Sequence, residues 1–197
     1  MLRLPYFNRE VIWYGGGILI YWATTGLVLS IIPSVLATHG LAKYAGISSM
    51  LAISCGLLFQ PIARKLDPQV LSKLGILILL PVYALLAWGA LHANLPAILL
   101  AAFLATSNCY GFVYLGGLSG VTRSADTEQA RASAGYFLMA YMGFSISVIF
   151  TGLIVDKYGA TIAFYAFGLF LVLGALILFG SQSMLKTSRD LNINIKQ

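Results

Sequence analysis

The chain contains six long apolar stretches, and none has an Asp, Glu, Lys, Arg or His near its middle. They run from about Val11 to Ala37, Tyr44 to Ala63, Val70 to Leu91, Leu95 to Leu118, Ser133 to Val155 and Ala160 to Ser181. A helix needs roughly 20 such residues to cross a hydrocarbon core of about 30 Å, and each stretch reaches that length. The other structure able to satisfy its backbone inside a bilayer is a closed barrel. A barrel reads as short alternating segments of about ten residues, and unbroken apolar runs of this length are not that. The first stretch ends in Val35-Leu36-Ala37, a passable signal-cleavage pattern. Its apolar run is too long for the 7–15 residues typical of a signal peptide, so it reads as a span.

Composition agrees. Only 9% of the 197 residues are charged, against about 25% in an ordinary soluble domain. Charge is expensive at bilayer depth, and the charges present are confined to the connections and the tail. Lys and Arg divide unevenly between the two sides that six spans define. Arg3, Arg9, Arg64, Lys65, Lys73, Arg123, Arg131, Lys186, Arg189 and Lys196 share the side of the N-terminus, whereas Lys43 and Lys157 stand opposite. Positively charged connections stay on the cytoplasmic side. The expectation is a multi-pass protein of the inner or plasma membrane with both termini cytoplasmic, divided into a segment 1–10, a membrane domain 11–181 and a tail 182–197.

A net charge of +6 does not point to nucleic acid, because the basic residues form no stripe or arm that could track phosphates. Cys55 and Cys109 sit inside apolar segments and read as small apolar residues. His39 and His92 fall in separate loops. No metal-ligand spacing or cofactor motif is present.

Polar residues are distributed unevenly among the segments. The third and sixth are almost purely apolar inside. The first carries Thr24, Thr25, Ser30 and Ser34, and the second Ser48, Ser49, Ser54, Cys55 and Gln60. The fourth carries Thr106, Ser107, Asn108 and Cys109, and the fifth Ser145, Ser147 and Thr151. Polar groups in hydrocarbon seek protein or water, so segments one, two, four and five are expected to face protein or a cavity, and three and six lipid. The polar, polar, apolar order occurs twice. Three helices per repeat is an odd number, which inverts the second copy in the membrane: a 3+3 inverted repeat, an arrangement used by transporters.

Three motifs then carry a family resemblance. Gly56-Leu-Leu-Phe-Gln-Pro-Ile-Ala-Arg-Lys-Leu-Asp-Pro lies between the second and third segments. Arg131-Ala-Ser-Ala-Gly-Tyr-Phe-Leu-Met-Ala-Tyr-Met-Gly enters the fifth. Gly152-Leu-Ile-Val-Asp-Lys-Tyr-Gly leads to the sixth. In order and spacing they resemble the C-terminal half of a major facilitator superfamily (MFS) transporter, over roughly Val11 to Ser181. That family has two six-helix halves, and this sequence resembles one. The resemblance implies an all-α membrane fold and transport of a small solute by alternating access. It also implies a partner for this half, either a second copy or a separately encoded six-helix chain. Arg64, Lys65, Asp67, Arg131, Asp156 and Lys157 would form turns that latch one face or the other.

The resembled fold lines its cavity with helices one, two, four and five, matching the polar sorting. Tyr21, Thr24 and Thr25 share a face by i, i+3, i+4 spacing, Ser107, Tyr110 and Tyr114 share another beside Asn108, and Tyr141 and Ser145 a third. These eight (Tyr21, Thr24, Thr25, Ser107, Asn108, Tyr110, Tyr141 and Ser145) are the candidate cavity-lining residues. Neutral hydroxyls, one carboxamide and aromatic rings suit a neutral or amphipathic solute. No intramembrane acid, base or histidine offers a proton relay. An enzyme would need nucleophiles, acids or metal ligands at membrane depth, and none is found. The alternative is a non-transporting membrane partner or a truncated half acting as an accessory protein.

Overall fold

The computed structural model describes residues 4–54 and 59–194, and among these it contains helices and turns but no strand. Cys55 and Gly56 of the second segment, and Arg3 and Lys196, lie outside the described residues. The elements are α1 (Arg9–Thr38), α2 (Ala45–Ser54), α3 (Gln60–Ala63), α4 (Pro68–Leu91), α5 (Leu95–Asn108), α6 (Leu115–Ser124), α7 (Gln129–Tyr158) and α8 (Ala160–Asn194). A π-helical segment, Cys109–Tyr114, joins α5 to α6 without a break in direction.

The helix starts are written locally. Asn8 caps α1 by accepting from the Val11 amide at 2.7 Å. Asp67 caps α4 from the Gln69 amide at 2.9 Å, with Pro68 in the first turn. Asn94 does the same for α5 through the Ala97 amide at 3.1 Å. A side-chain acceptor at this position satisfies an amide that has no partner in the helix, and proline in the first turn sacrifices a donor that was idle anyway. Gly159 closes α7 at φ 85°, a left-handed conformation that glycine adopts without a Cβ clash, and α8 starts at the next residue.

Among the described residues, five helices are long and apolar enough to cross a membrane: α1, α4, the continuous run Leu95–Ser124, α7 and the part of α8 from Ala160 to Ser181. They correspond to sequence segments one, three, four, five and six. The described parts of the second segment are the two shorter pieces α2 and α3.

α1 is the axis of the bundle. Val11, Ile18, Ala23, Val28 and Ile32 on it are fully buried. Its closest partner is α7, and glycine sets the distance. A Cβ on Gly143 of α7 would strike the Leu19 backbone, and one on Gly26 of α1 would lie 3.1 Å from the Phe144 carbonyl oxygen. Small residues let two membrane helices meet backbone to backbone, where van der Waals contact accumulates. The Ser147 hydroxyl donates across this seam to the Ala23 carbonyl at 3.2 Å. The Gly15-Gly16-Gly17 run serves four neighbours: it faces Met139 of α7, Leu178 of α8, Ile76 of α4 and Val113 of the π segment.

At the start of α1, the Trp13 indole N–H donates to the Leu178 carbonyl at 3.0 Å and ties α1 to α8. Trp13→Phe is expected to cost about 1 kcal/mol, in line with interhelical hydrogen bonds in membrane proteins. That corresponds to a fall of about 2–4 °C in the melting midpoint of the purified protein. An unchanged midpoint would show the bond to be idle.

The division into inward and lipid-facing helices differs in one respect from the sequence expectation. α1 and the Leu95–Ser124 run are the most enclosed, as expected, but α7 is the most exposed of the five, more open than both α4 and α8. The reason is directional. α7 turns Ser147 and Thr151 inward and Ser145 outward, together with Leu138, Met142, Ile149 and Leu153. α4 has few polar side chains but buries Gly75, Tyr83 and Gly89 against its neighbours. Polar content summed along a helix does not say which face is turned in. Gly152 lies within α7, where a Cβ would meet nothing within 4 Å, so in this body it mediates no close approach.

Candidate functional site

α1, the Leu95–Ser124 run and α7 are each 30 residues long, so their midpoints fall beside Ala23, Cys109 and Gly143. Two groups of side chains gather at this level.

The inner group ties three helices together. The Tyr21 hydroxyl of α1 donates to the Gly75 carbonyl of α4 at 2.7 Å. The Asn108 carboxamide of α5 donates to the same carbonyl at 3.1 Å and to the Tyr21 hydroxyl oxygen. Gly75 permits this because Val113 presses against it where a Cβ would stand. Tyr21 is 1% exposed and Asn108 3%, so both polar groups are spent inside the protein. The Asn108 carbonyl oxygen is buried and, among the described residues, has no hydrogen-bond partner. Asn108 is also the last residue before the π-helical segment, whose wider turn rotates everything beyond it relative to an unbroken α-helix.

The outer group is aromatic. Trp22 of α1 stands edge-on to Tyr141 of α7 at 5.1 Å and to Phe144 at 6.5 Å. In the π segment, Tyr110 packs on Tyr114 at 5.7 Å, and Tyr114 on Phe137 of α7 at 6.0 Å. Phe137 and Tyr141 stand one turn apart on α7, which brings the two aromatic pairs onto one side of the bundle. Trp22, Tyr110 and Tyr114 are half-buried, and Tyr141 is 59% exposed.

The eight residues singled out in the sequence are therefore divided. Tyr21 and Asn108 are joined in the inner group, with Thr24 and Ser107 also buried. Thr24 and Thr25 donate back to their own helix, to Ile20 and Tyr21 carbonyls at 3.2 and 3.1 Å. Tyr110 and Tyr141 share the outer wall, and Ser145 lies exposed one turn beyond Tyr141. Trp22 and Gly75 were not singled out. Both carried a signal: tryptophan in a membrane helix belongs near its ends, and Trp22 sits at a midpoint, while a glycine inside an apolar run marks a close approach.

The turn residues separate by end. Glu10, Asp67, Gln69, Arg123 and Ser124 surround Tyr14 in an open cleft of about 620 Å³. Arg64 lines an adjoining hollow with Arg123, Lys65 is exposed, and Asp67 is occupied as the α4 cap. Arg131 pairs with Glu128 at 3.0 Å and donates from Nε to the Leu4 carbonyl at 2.8 Å. The Tyr6 amide returns a bond to the Arg131 carbonyl at 3.1 Å, strapping the approach to α1 onto the start of α7. Asp156 and Lys157 are exposed at the far end of α7.

Among the described residues, no three His, Cys, Asp or Glu side chains gather as a metal site. Five apolar helices of spanning length, packed around a buried α1 with polar contacts enclosed at mid-depth, define an all-α, multi-pass membrane protein. No protein-family model, no curated protein and no solved structure matches the chain.

Proposed function

We propose that this chain supplies one six-helix half of an alternating-access solute transporter of the major facilitator type, and that a second six-helix body completes its pathway. The observation that carries the reading is the aromatic wall. Three spans bring Trp22, Tyr110, Tyr114 and Tyr141 to their midpoints, on a side of the bundle that is open. Such groups belong at the headgroup level or in protein, not in lipid tails. α8 by contrast exposes Leu169, Leu173, Leu176 and Ile177, a surface fit for lipid. A cavity between this wall and a second body would lie where transporters of inverted-repeat design hold their solute.

In this reading the second segment completes a 3+3 inverted repeat, and the bias of Lys and Arg puts both termini in the cytoplasm. The cleft around Tyr14 and the turn at Asp156 and Lys157 lie at opposite ends, as latches for opposite faces would. The solute is neutral or amphipathic, since no span of this chain carries an acid or base at mid-depth.

Native mass spectrometry of the complex held by a tag on this chain tests the reading, together with osmotic swelling of proteoliposomes in a panel of small neutral solutes. A homodimer, or a complex with another six-helix protein, is expected, and swelling faster than in protein-free vesicles. A monomer without flux would overturn it in favour of an accessory role.

A further inference from the structure

Apart from Tyr14, Tyr158 and Tyr165 near the helix ends, the tyrosines of the spans fall into two kinds. Tyr21, Tyr83 and Tyr136 each donate to a backbone carbonyl, of Gly75 at 2.7 Å, Phe164 at 2.6 Å and Val113 at 3.1 Å. Their hydroxyls are consumed by the fold. Tyr110, Tyr114 and Tyr141 are different. Among the described residues their hydroxyls make no hydrogen bond, and neither does the Trp22 indole N–H. All four stand on one wall at mid-span. A phenol can donate and accept, and an indole N–H can donate. Leaving them without partners at this depth is costly, so a partner beyond the described residues is expected to meet them.

The chemistry of that partner follows from what the wall offers. A fixed cation would have the ring faces, but no span of this chain carries a carboxylate near its middle. Contacts between a cation and a ring return far less than a bare charge costs at mid-bilayer. A fixed anion would have donors but no base. An alkane-like solute would use the rings and leave every hydroxyl unmet. A solute that uses the whole wall has an apolar face for the rings of Trp22 and Tyr141, and several hydroxyls to exchange with the phenols. We infer that the wall formed by Trp22, Tyr110, Tyr114 and Tyr141 binds a neutral polyhydroxylated ring, of the pyranose or cyclitol class. This rests on the transporter reading for its second wall, but the binding itself does not require transport.

The test measures binding and leaves flux aside. The full chain, with whatever partner it retains, is placed in lipid nanodiscs. Saturation-transfer NMR then reads D-glucose, myo-inositol, choline and acetate in turn. At least one of the two neutral rings is expected to bind saturably and more tightly than choline or acetate. Tyr110→Phe and Tyr141→Phe, which remove a hydroxyl and keep the ring, should each weaken that binding about three- to tenfold, the range for one hydrogen bond. Trp22→Leu should weaken it at least as much. Tyr165→Phe, on the exposed face of α8, should leave it unchanged.

Tighter binding of choline, no saturable binding of either ring, or dissociation constants untouched by the two phenylalanine variants would each overturn the inference. So would phenylalanine variants that change the oligomeric state while leaving binding alone, since the wall would then be a packing surface. Binding without swelling in the vesicle assay would keep this site and remove the transporter reading.

Discussion

Gly143→Leu is expected to be among the most damaging single substitutions in this chain, lowering stability by about 3 kcal/mol, at the top of the usual overpacking range. For a chain of this size that is a fall of about 6–12 °C in the melting midpoint. Leucine is a better helix former than glycine and is at home in lipid, so local propensity favours the change. The loss comes from separating two helices: the new side chain occupies the place of the Leu19 backbone on α1, and the Ser147 bond to Ala23 depends on the same close seam. Gly152→Leu is the control, nine residues along the same helix, where a Cβ meets nothing within 4 Å. Thermal unfolding of the two variants, followed by circular dichroism in detergent, should differ by most of the Gly143 effect. Equal midpoints would mean that the α1–α7 seam is not set by glycine.

Tyr21→Ala should be of similar or larger size, about 4 kcal/mol. Removing a large buried aromatic ring costs about 3–5 kcal/mol, here mainly as lost van der Waals contact, because lipid itself is apolar. Tyr21→Phe keeps the packing and removes only the hydroxyl bonded to Gly75 and Asn108, and should cost about 1 kcal/mol. Pairing Tyr21→Phe with Asn108→Ala tests the inner group as a unit: a coupling of about 0.5 kcal/mol or more is expected for side chains in one hydrogen-bond network. Strictly additive losses would break the group into independent contacts.

The spans and their order were legible because length and apolarity are one-dimensional properties. Each of the five long spans lies within a few residues of its sequence estimate, apart from a longer α8 and a Leu95–Ser124 helix that carries on past Leu118. Facing was less so. Tyr21, Thr24 and Thr25 sit on adjoining positions of α1, yet Tyr21 crosses to α4, Thr24 bonds its own helix, and Thr25 bonds its own helix while also meeting Cys109. Spacing cannot tell a hydroxyl that reaches across from one that folds back. Ser107, Tyr110 and Tyr114 share a face only if the helix turns at 3.6 residues throughout. The π segment begins between Ser107 and Tyr110 and widens that turn, leaving Ser107 buried and Tyr110 half-exposed. No residue pattern announces such a segment. Gly75 became part of the site because of what its missing side chain admits, a role that no search for functional groups would find.

The α1–α7 seam also sets a clock on the making of this protein. The residues bonded across it, Ala23 and Ser147, are 124 positions apart. At a synthesis rate of about 5–20 residues per second, the first helix reaches the bilayer roughly 6–25 seconds before its main partner exists. During that interval the glycine face of α1 is without this partner and meets lipid, the insertion machinery or other helices. Biogenesis must therefore either shelter that face or hold the nascent bundle loose enough for α7 to enter late and close it, with α8 still to follow.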